Sequence, residues 1–179
     1  GSGLVGSEMC IRDRLKQMIT VSSNEAANGL LSRIGNGDGK AAIATVTAIA
    51  QRYGFTSSEE LRTLTGMASG NAVENWTSTR DCGSFLSQVY AGTLVSKNAS
   101  ERMMQLLLGQ TRRTKIPAGV PSGVKVANKT GELAAVQNDV AIVFGTHPYV
   151  LAVMSNDISS AVAPSQITEL SRAVWDAAQ

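Results

Sequence analysis

The sequence predicts an α+β fold: a helical subdomain, then a three-stranded antiparallel sheet, then a C-terminal helix. Three observations carry this. Apolar residues recur at helical spacing in five segments between Leu15 and Leu108. Three apolar segments of strand character follow between Val124 and Ser155, and Ile167, Leu170, Val174 and Ala177 form one more helical stripe. With 179 residues, 43% hydrophobic and 17% charged, the composition is that of one globular domain.

Taken in order, Gly1-Ser2-Gly3 reads as a tag, and residues 3–14 (GLVGSEMCIRDR) show no clean helix or strand period. That run resembles translated read-through of a sequencing adapter, so residues 1–14 are expected to be tag and non-native sequence and residues 15–179 the domain. Leu15, Met18 and Ile19 give a short helical piece, broken by Val21-Ser22-Ser23-Asn24. A second helix carries Ala26, Ala27, Leu30, Leu31 and Ile34, with Ser22, Ser23 or Asn24 as its N-cap and Gly35 at its end. Asp38 caps a third, whose buried stripe is Ala42, Ile43, Val46, Ile49, Ala50 and Tyr53. Phe55 to Trp76 reads as a long connection, a length that often marks function. Ser78-Thr79-Arg80-Asp81 resembles a capping box and opens a helix with Cys82, Phe85, Leu86, Val89 and Tyr90 inward. Asn98 to Glu101 starts another, ending at Gly109. Val136–Phe144 and Tyr149–Ser155 are joined by the turn at Gly145-Thr146-His147-Pro148, which makes them an antiparallel hairpin. Pro164-Ser165 opens the last helix.

Several function classes drop out. A net charge of +2 without basic runs interleaved with aromatics gives no case for nucleic acid. Arg112, Arg113 and Lys115 form the densest basic cluster and read as a solvated loop. Cys10 and Cys82 stand far apart and His147 is the single histidine, in turn composition, so neither a metal site nor a histidine-based triad is expected. No cofactor is implied. No apolar run approaches the ~20 residues of a membrane span, and no secretory h-region is visible.

The chemistry points to Val124-Lys-Val-Ala-Asn-Lys-Thr-Gly-Glu-Leu133, a strand that ends by presenting a lysine, a hydroxyl and a glycine. Gly131, lacking a β-carbon, would let a ligand approach the backbone closely. Alone, Lys129-Thr130-Gly131 reads as a strand running into a turn, and Ser22 and Asn24 as caps. Together, LKQMITVSSNEAANGLL and ANKTGEL resemble the class A β-lactamase-like serine hydrolases of the β-lactamase and penicillin-binding-protein superfamily. The resemblance runs from about Leu15 to the C-terminus.

It implies a role for each matched residue. Ser22 would relay a proton towards the leaving nitrogen, and Asn24 would hydrogen-bond the substrate's side-chain amide. Lys129 would favour an anionic substrate and polarise the serine hydroxyl, and Thr130 would bind the substrate carboxylate. The N–H of Glu132, after Gly131, would be half of an oxyanion hole. The implied substrate is a β-lactam or a peptidoglycan-like acyl-D-Ala amide, and the implied setting periplasmic or extracellular.

Two departures accompany the match. No Ser-x-x-Lys nucleophile motif precedes Ser22; Ser122-Gly-Val-Lys125 has the spacing, but falls on the approach to the strand. The usual Glu-x-x-Leu-Asn that activates the deacylating water is absent, and Glu74 is only the nearest acid. The chain is therefore expected to be an N-terminally truncated hydrolase, inactive by itself, or else a non-catalytic remnant that at most binds ligand weakly. Truncation would leave Tyr149–Ser155 as an unpaired apolar edge and a route to homo-oligomers.

Overall fold

The structure, a computed structural model, describes residues 2–64 and 74–179. Helices α1 (Ser2–Thr20), α2 (Asn24–Ile34), α3 (Gly39–Arg52), α4 (Thr79–Ala91) and α5 (Lys97–Leu108) come first. A 3-10 turn (Ile116–Gly119), strands β1 (Lys125–Leu133), β2 (Val136–Phe144) and β3 (Tyr149–Val153), and helix α6 (Ala163–Ala178) follow. This is the α+β order the sequence predicts. The chain forms two compact units, residues 1–81 and 82–179.

In the first unit α1 is one unbroken helix, longer than the piece starting at Leu15 that the apolar period marks. Ile11, Leu15 and Met18 fall on one side of it and, with Leu30 and Leu31 of α2, line an apolar cavity of about 660 Å³. Of the three expected caps for α2, Ser23 does the work: its hydroxyl accepts from the Ala26 N–H at 3.1 Å. Asp38 caps α3 as expected, accepting from the N–H groups of Lys40 (2.8 Å) and Ala41 (3.2 Å). The α3 stripe needs correcting, because Ala42 is fully buried while Ile49 is 48% exposed. The later turns of α3 meet the following loop through Thr47, whose hydroxyl donates to the Glu60 carbonyl and accepts from the Glu60 N–H (3.1 and 2.9 Å). That contact turns Ile49 away.

Residues 65–73, the middle of the long connection, lie outside the described residues. Its ends are tied by a Glu59–Trp76 bridge and by Asn75, whose Oδ1 accepts from the N–H groups of Leu61 and Arg62 (2.8 and 2.9 Å). At the start of α4 only half of a capping box forms. Ser78 accepts from the Asp81 N–H at 3.1 Å, but the Asp81 carboxylate turns to the Ser57 N–H and the Ser58 hydroxyl, both at 2.8 Å.

In the second unit the sheet order is β1-β2-β3, antiparallel throughout. Register pairs Thr130 with Asp139 and Val126 with Val143. One face carries Val126, Ala141 and Val143, which pack with Ile116 and with Ile167 of α6 as the apolar core. Gly119 permits this approach, since a Cβ there would lie 2.4 Å from the Thr168 carbonyl oxygen. On the other face Ala127 and Ile142 are equally buried. Tyr90, expected inward, is 50% exposed and meets Phe144 at a ring separation of 6.0 Å. Helix α5 starts at a Ser96 cap, ahead of the expected Asn98, with the Ser96 hydroxyl accepting from the Ala99 N–H at 3.1 Å. β3 stops at Val153 rather than Ser155, because Ser155 pairs with Gln137 through its side chain: its hydroxyl donates to the Gln137 carbonyl (2.7 Å) and accepts from the Gln137 N–H (3.0 Å). His147 is an exposed turn residue whose N–H and carbonyl bond the Gln179 side-chain amide (3.3 and 3.1 Å). Among the described residues no helix is long and apolar enough to cross a membrane.

The cap assignment is testable by thermal unfolding. Ser23→Ala should cost about 1 kcal/mol, the usual value of a lost N-cap hydroxyl, whereas Asn24→Ala should stay within about 0.5 kcal/mol.

Candidate active site

Strand alternation decides what β1 can offer a ligand. Val126, Asn128, Thr130 and Glu132 share one face; Lys125, Ala127, Lys129, Gly131 and Leu133 share the other. The Val126 carbonyl accepts from the Arg113 guanidinium at 3.3 Å, on the side away from β2. Backbone groups repeat with the same period, so the N–H and carbonyl of Thr130 and of Glu132 also face away from β2. Among the described residues β1 pairs with β2 alone, and these groups line its open edge.

Thr130 is 4% exposed, and its hydroxyl finds no hydrogen-bond partner among the described residues. Lys129 leaves the strand on the opposite face, yet its Nζ curls round the edge to donate to the Thr130 carbonyl at 2.5 Å. Burial pushes the Lys129 ammonium below its ordinary range, helped by the charge of Arg112 and opposed by Glu132 and Asp139. Lys129, Thr130, Gly131 and Glu132 thus form one contiguous cationic and hydrogen-bonding edge.

A buried polar network stands behind it that sequence reading missed. Lys115, read as part of a solvated loop, is 1% exposed. Its Nζ donates to Glu132 Oε1 at 2.9 Å and to the Asn138 carbonyl at 3.2 Å. Arg112 pairs with the other oxygen, Oε2. Burial pushes the Glu132 carboxyl up, but the hydrogen bond and charge of Lys115, together with Arg112, outweigh it and hold the group below the usual carboxylate range. Asp139 is fully buried, accepting from the Ile116 N–H and from Asn128 Nδ2, each at 3.0 Å. Burial pushes it up to about 6 against those two bonds and Lys115. Polar residues at inward positions of β1 and β2, Asn128 opposite Ala141 and Asp139 opposite Thr130, were the available signal.

Ser22 and Asn24 lie in the first unit. Ser22 is half-buried with a left-handed backbone, φ 60°, a conformation that costs a non-glycine residue of order 1 kcal/mol or more. Asn24, the first residue of α2, is exposed. Ser122 sits in the turn closed by the Val124 N–H to Pro121 carbonyl bond (3.2 Å), and both it and Lys125 are exposed. Glu74 is exposed and paired with Arg62 at 2.7 Å. Glu60 is the half-buried acid of that loop; it lines a cavity of about 290 Å³ with Thr47 and Asn75, and burial raises its pKa against the Asn75 hydrogen bond. No group of side chains that could hold a metal ion occurs among the described residues.

Breaking the Glu132 contacts separates a buried ion pair from a surface one. Glu132→Gln strands the buried Lys115 ammonium and should lower the unfolding free energy by about 3 kcal/mol in urea titrations. Arg112→Gln removes only a half-exposed partner and should cost less than about 1 kcal/mol.

The comparisons with known proteins bear on the fold. A family model described as the beta-lactamase enzyme family matches residues 2–178. No curated protein matches the chain. Among solved structures, a beta-lactamase from Sphaerobacter thermophilus superposes with a TM-score of 0.83 at 24% identity, over 93% of this chain and 62% of that one. The TLA-3 extended-spectrum beta-lactamase gives 0.83 at 23% identity, over 93% and 63%. PBP-A gives 0.79 at 26% identity, over 90% and 58%, and a PBP-A mutant solved as an acyl-enzyme complex with penicillin G gives 0.78 at 25%, over 90% and 59%. The chain therefore spans less than two thirds of the length of these structures.

Proposed function

We propose, for a chain that belongs to the beta-lactamase enzyme family, that residues 1–179 bind carboxylate-bearing β-lactams or acyl-D-Ala-type amides along the open edge of β1 and by themselves do not turn them over. The observation that carries the reading is the Thr130 hydroxyl, buried and without a hydrogen-bond partner among the described residues, on a residue whose carbonyl holds the Lys129 ammonium. A buried hydroxyl without a hydrogen bond is costly, and a ligand carboxylate would satisfy it. Lys129 supplies the opposite charge, and the Glu132 N–H on the same edge supplies an oxyanion donor. By family resemblance Asn24 and Ser22 hold the motif positions for a ligand-amide contact and for proton relay. The penicillin G bound covalently in the PBP-A complex supports this ligand class.

Turnover needs an activated nucleophile as well. Within residues 1–179 the spacing Ser-x-x-Lys occurs only at Ser122–Lys125, and both residues are exposed on a turn and the strand start that follows it. An oxyanion donor with nothing to deliver an alkoxide stabilises a bound ligand, not a reaction. The same ligand class suggests a periplasmic or extracellular setting for the parent protein. Intact mass after incubation with penicillin G should show the unmodified chain, while ligand-observed NMR should show binding that Thr130→Val weakens about tenfold or more, the worth of a charge-assisted hydrogen bond. A stoichiometric acyl adduct would sink the non-catalytic reading; unchanged binding by Thr130→Val would sink the site.

A second proposal concerns partners. β3 ends the sheet, and Tyr149–Val153 is five uncharged, half-buried residues with neither proline nor bulge to discourage pairing. We propose that two copies pair through it as an antiparallel homodimer. Light scattering should give a dimer mass that Val150→Lys reduces to monomer; a monomer at all concentrations, or a Lys variant that stays dimeric, would count against it.

A further inference from the structure

We infer that Asp139 is the specificity-determining residue of the carboxylate site: lying directly across β1–β2 from Thr130, its charge sets how tightly the open edge holds an anion. The inference rests on the ligand reading above and goes beyond it to a residue that touches no ligand.

The geometry comes from the register. Thr130 and Asp139 are opposed residues on the same sheet face, and opposed side chains have Cβ atoms ~5 Å apart. Both are buried. The Asp139 oxygens are spent on the Ile116 N–H and Asn128 Nδ2, at 3.0 Å each, and none reaches the Thr130 hydroxyl. Asp139 therefore acts on the Thr130 position as a fixed charge and not as a hydrogen-bond partner.

The charges facing Asp139 can be named element by element. The segment before the 3-10 turn brings Lys115, Arg112 and, on the Val126 carbonyl, Arg113, and β1 brings Lys129 and Glu132. β3 carries no charge. From the helices, Glu169, Arg172 and Asp176 of α6 and Lys97, Glu101 and Arg102 of α5 are exposed. At the edge four cations thus face two carboxylates while Asp139 is ionised, and one once it is neutral. Because burial pushes Asp139 up to about 6, it loses its charge as the pH falls through that value. The sign follows: protonation removes a repulsion on an incoming carboxylate, so anion affinity rises with acid. Glu132, held below the usual carboxylate range, stays ionised through the same window.

Asn128 allows an isosteric test. Its Nδ2 donates to Asp139 Oδ1 (3.0 Å) and to the Arg112 carbonyl (3.3 Å), while its Oδ1 is buried without a partner among the described residues. In Asp139→Asn the new amide can donate to that oxygen once Asn128 turns over, and its own oxygen still accepts from the Ile116 N–H. The variant removes the charge and keeps both bonds of position 139, at the cost of the Asn128 bond to the Arg112 carbonyl.

The experiment measures dissociation constants for penicillin G and for its uncharged methyl ester at pH 5.0 and 7.5, on the full chain and on Asp139→Asn, by ligand-observed NMR. Penicillin G should bind the wild-type chain about three- to tenfold tighter at pH 5.0, the scale of one screened charge a few ångströms away. Asp139→Asn should bind equally at both pH values, at the tighter level, and the ester should show no pH dependence in either protein. Wild-type affinity that ignores pH, or a variant that keeps the wild-type pH dependence, overturns the role of Asp139 alone. No binding at either pH overturns this role and the carboxylate site together.

Discussion

The Lys115 ammonium is buried, and most of what surrounds the KTG edge answers to that constraint. A buried cation must be matched by a buried or half-buried anion with good geometry. Glu132 supplies it and the Asn138 carbonyl accepts a hydrogen bond from a second N–H, so Lys115 ties the chain before Ile116 to the ends of both β1 and β2. Thr168 and Ser171 of α6 bond the carbonyls of Lys115 (3.2 Å) and Ile116 (2.8 Å), extending the tie to the last helix. The end of β1 is thus tied to the 3-10 turn, β2 and α6 by charge neutralisation and hydrogen bonds inside the protein.

Two kinds of hydroxyl are easily confused in such a sequence. Ser22 and Ser23 are adjacent and both stand before a helix, yet only Ser23 has the extended backbone (φ −73°, ψ 114°) that lets a side chain cap. Ser22 occupies the left-handed region instead. The backbone strain falls on Ser22 and the cap on Ser23.

Fold class, helix order and hairpin were legible because they depend on local signals: apolar period, caps and turn composition. The KTG strand was legible for the same reason, and its open edge follows from alternation. Lys115, Asn128 and Asp139 were not, since their environment is made by residues 11 to 23 positions away in the chain, and a lysine beside two arginines looks like surface. Ile49 and Tyr90 failed in the opposite sense: helical spacing says which side of a helix is apolar, but not how far the neighbouring element extends to cover it. The Ser155 ending of β3 was misjudged because a side chain there imitates the backbone ladder.

The left-handed backbone at Ser22 also bears on which substitutions this chain would tolerate there. Glycine alone adopts φ 60° without penalty, so the residue that best fits the backbone is the one that deletes the hydroxyl. Threonine, which keeps the hydroxyl, is β-branched and suffers most in that region. Substitution at this position therefore sets backbone strain against the hydroxyl: glycine relieves the first and deletes the second.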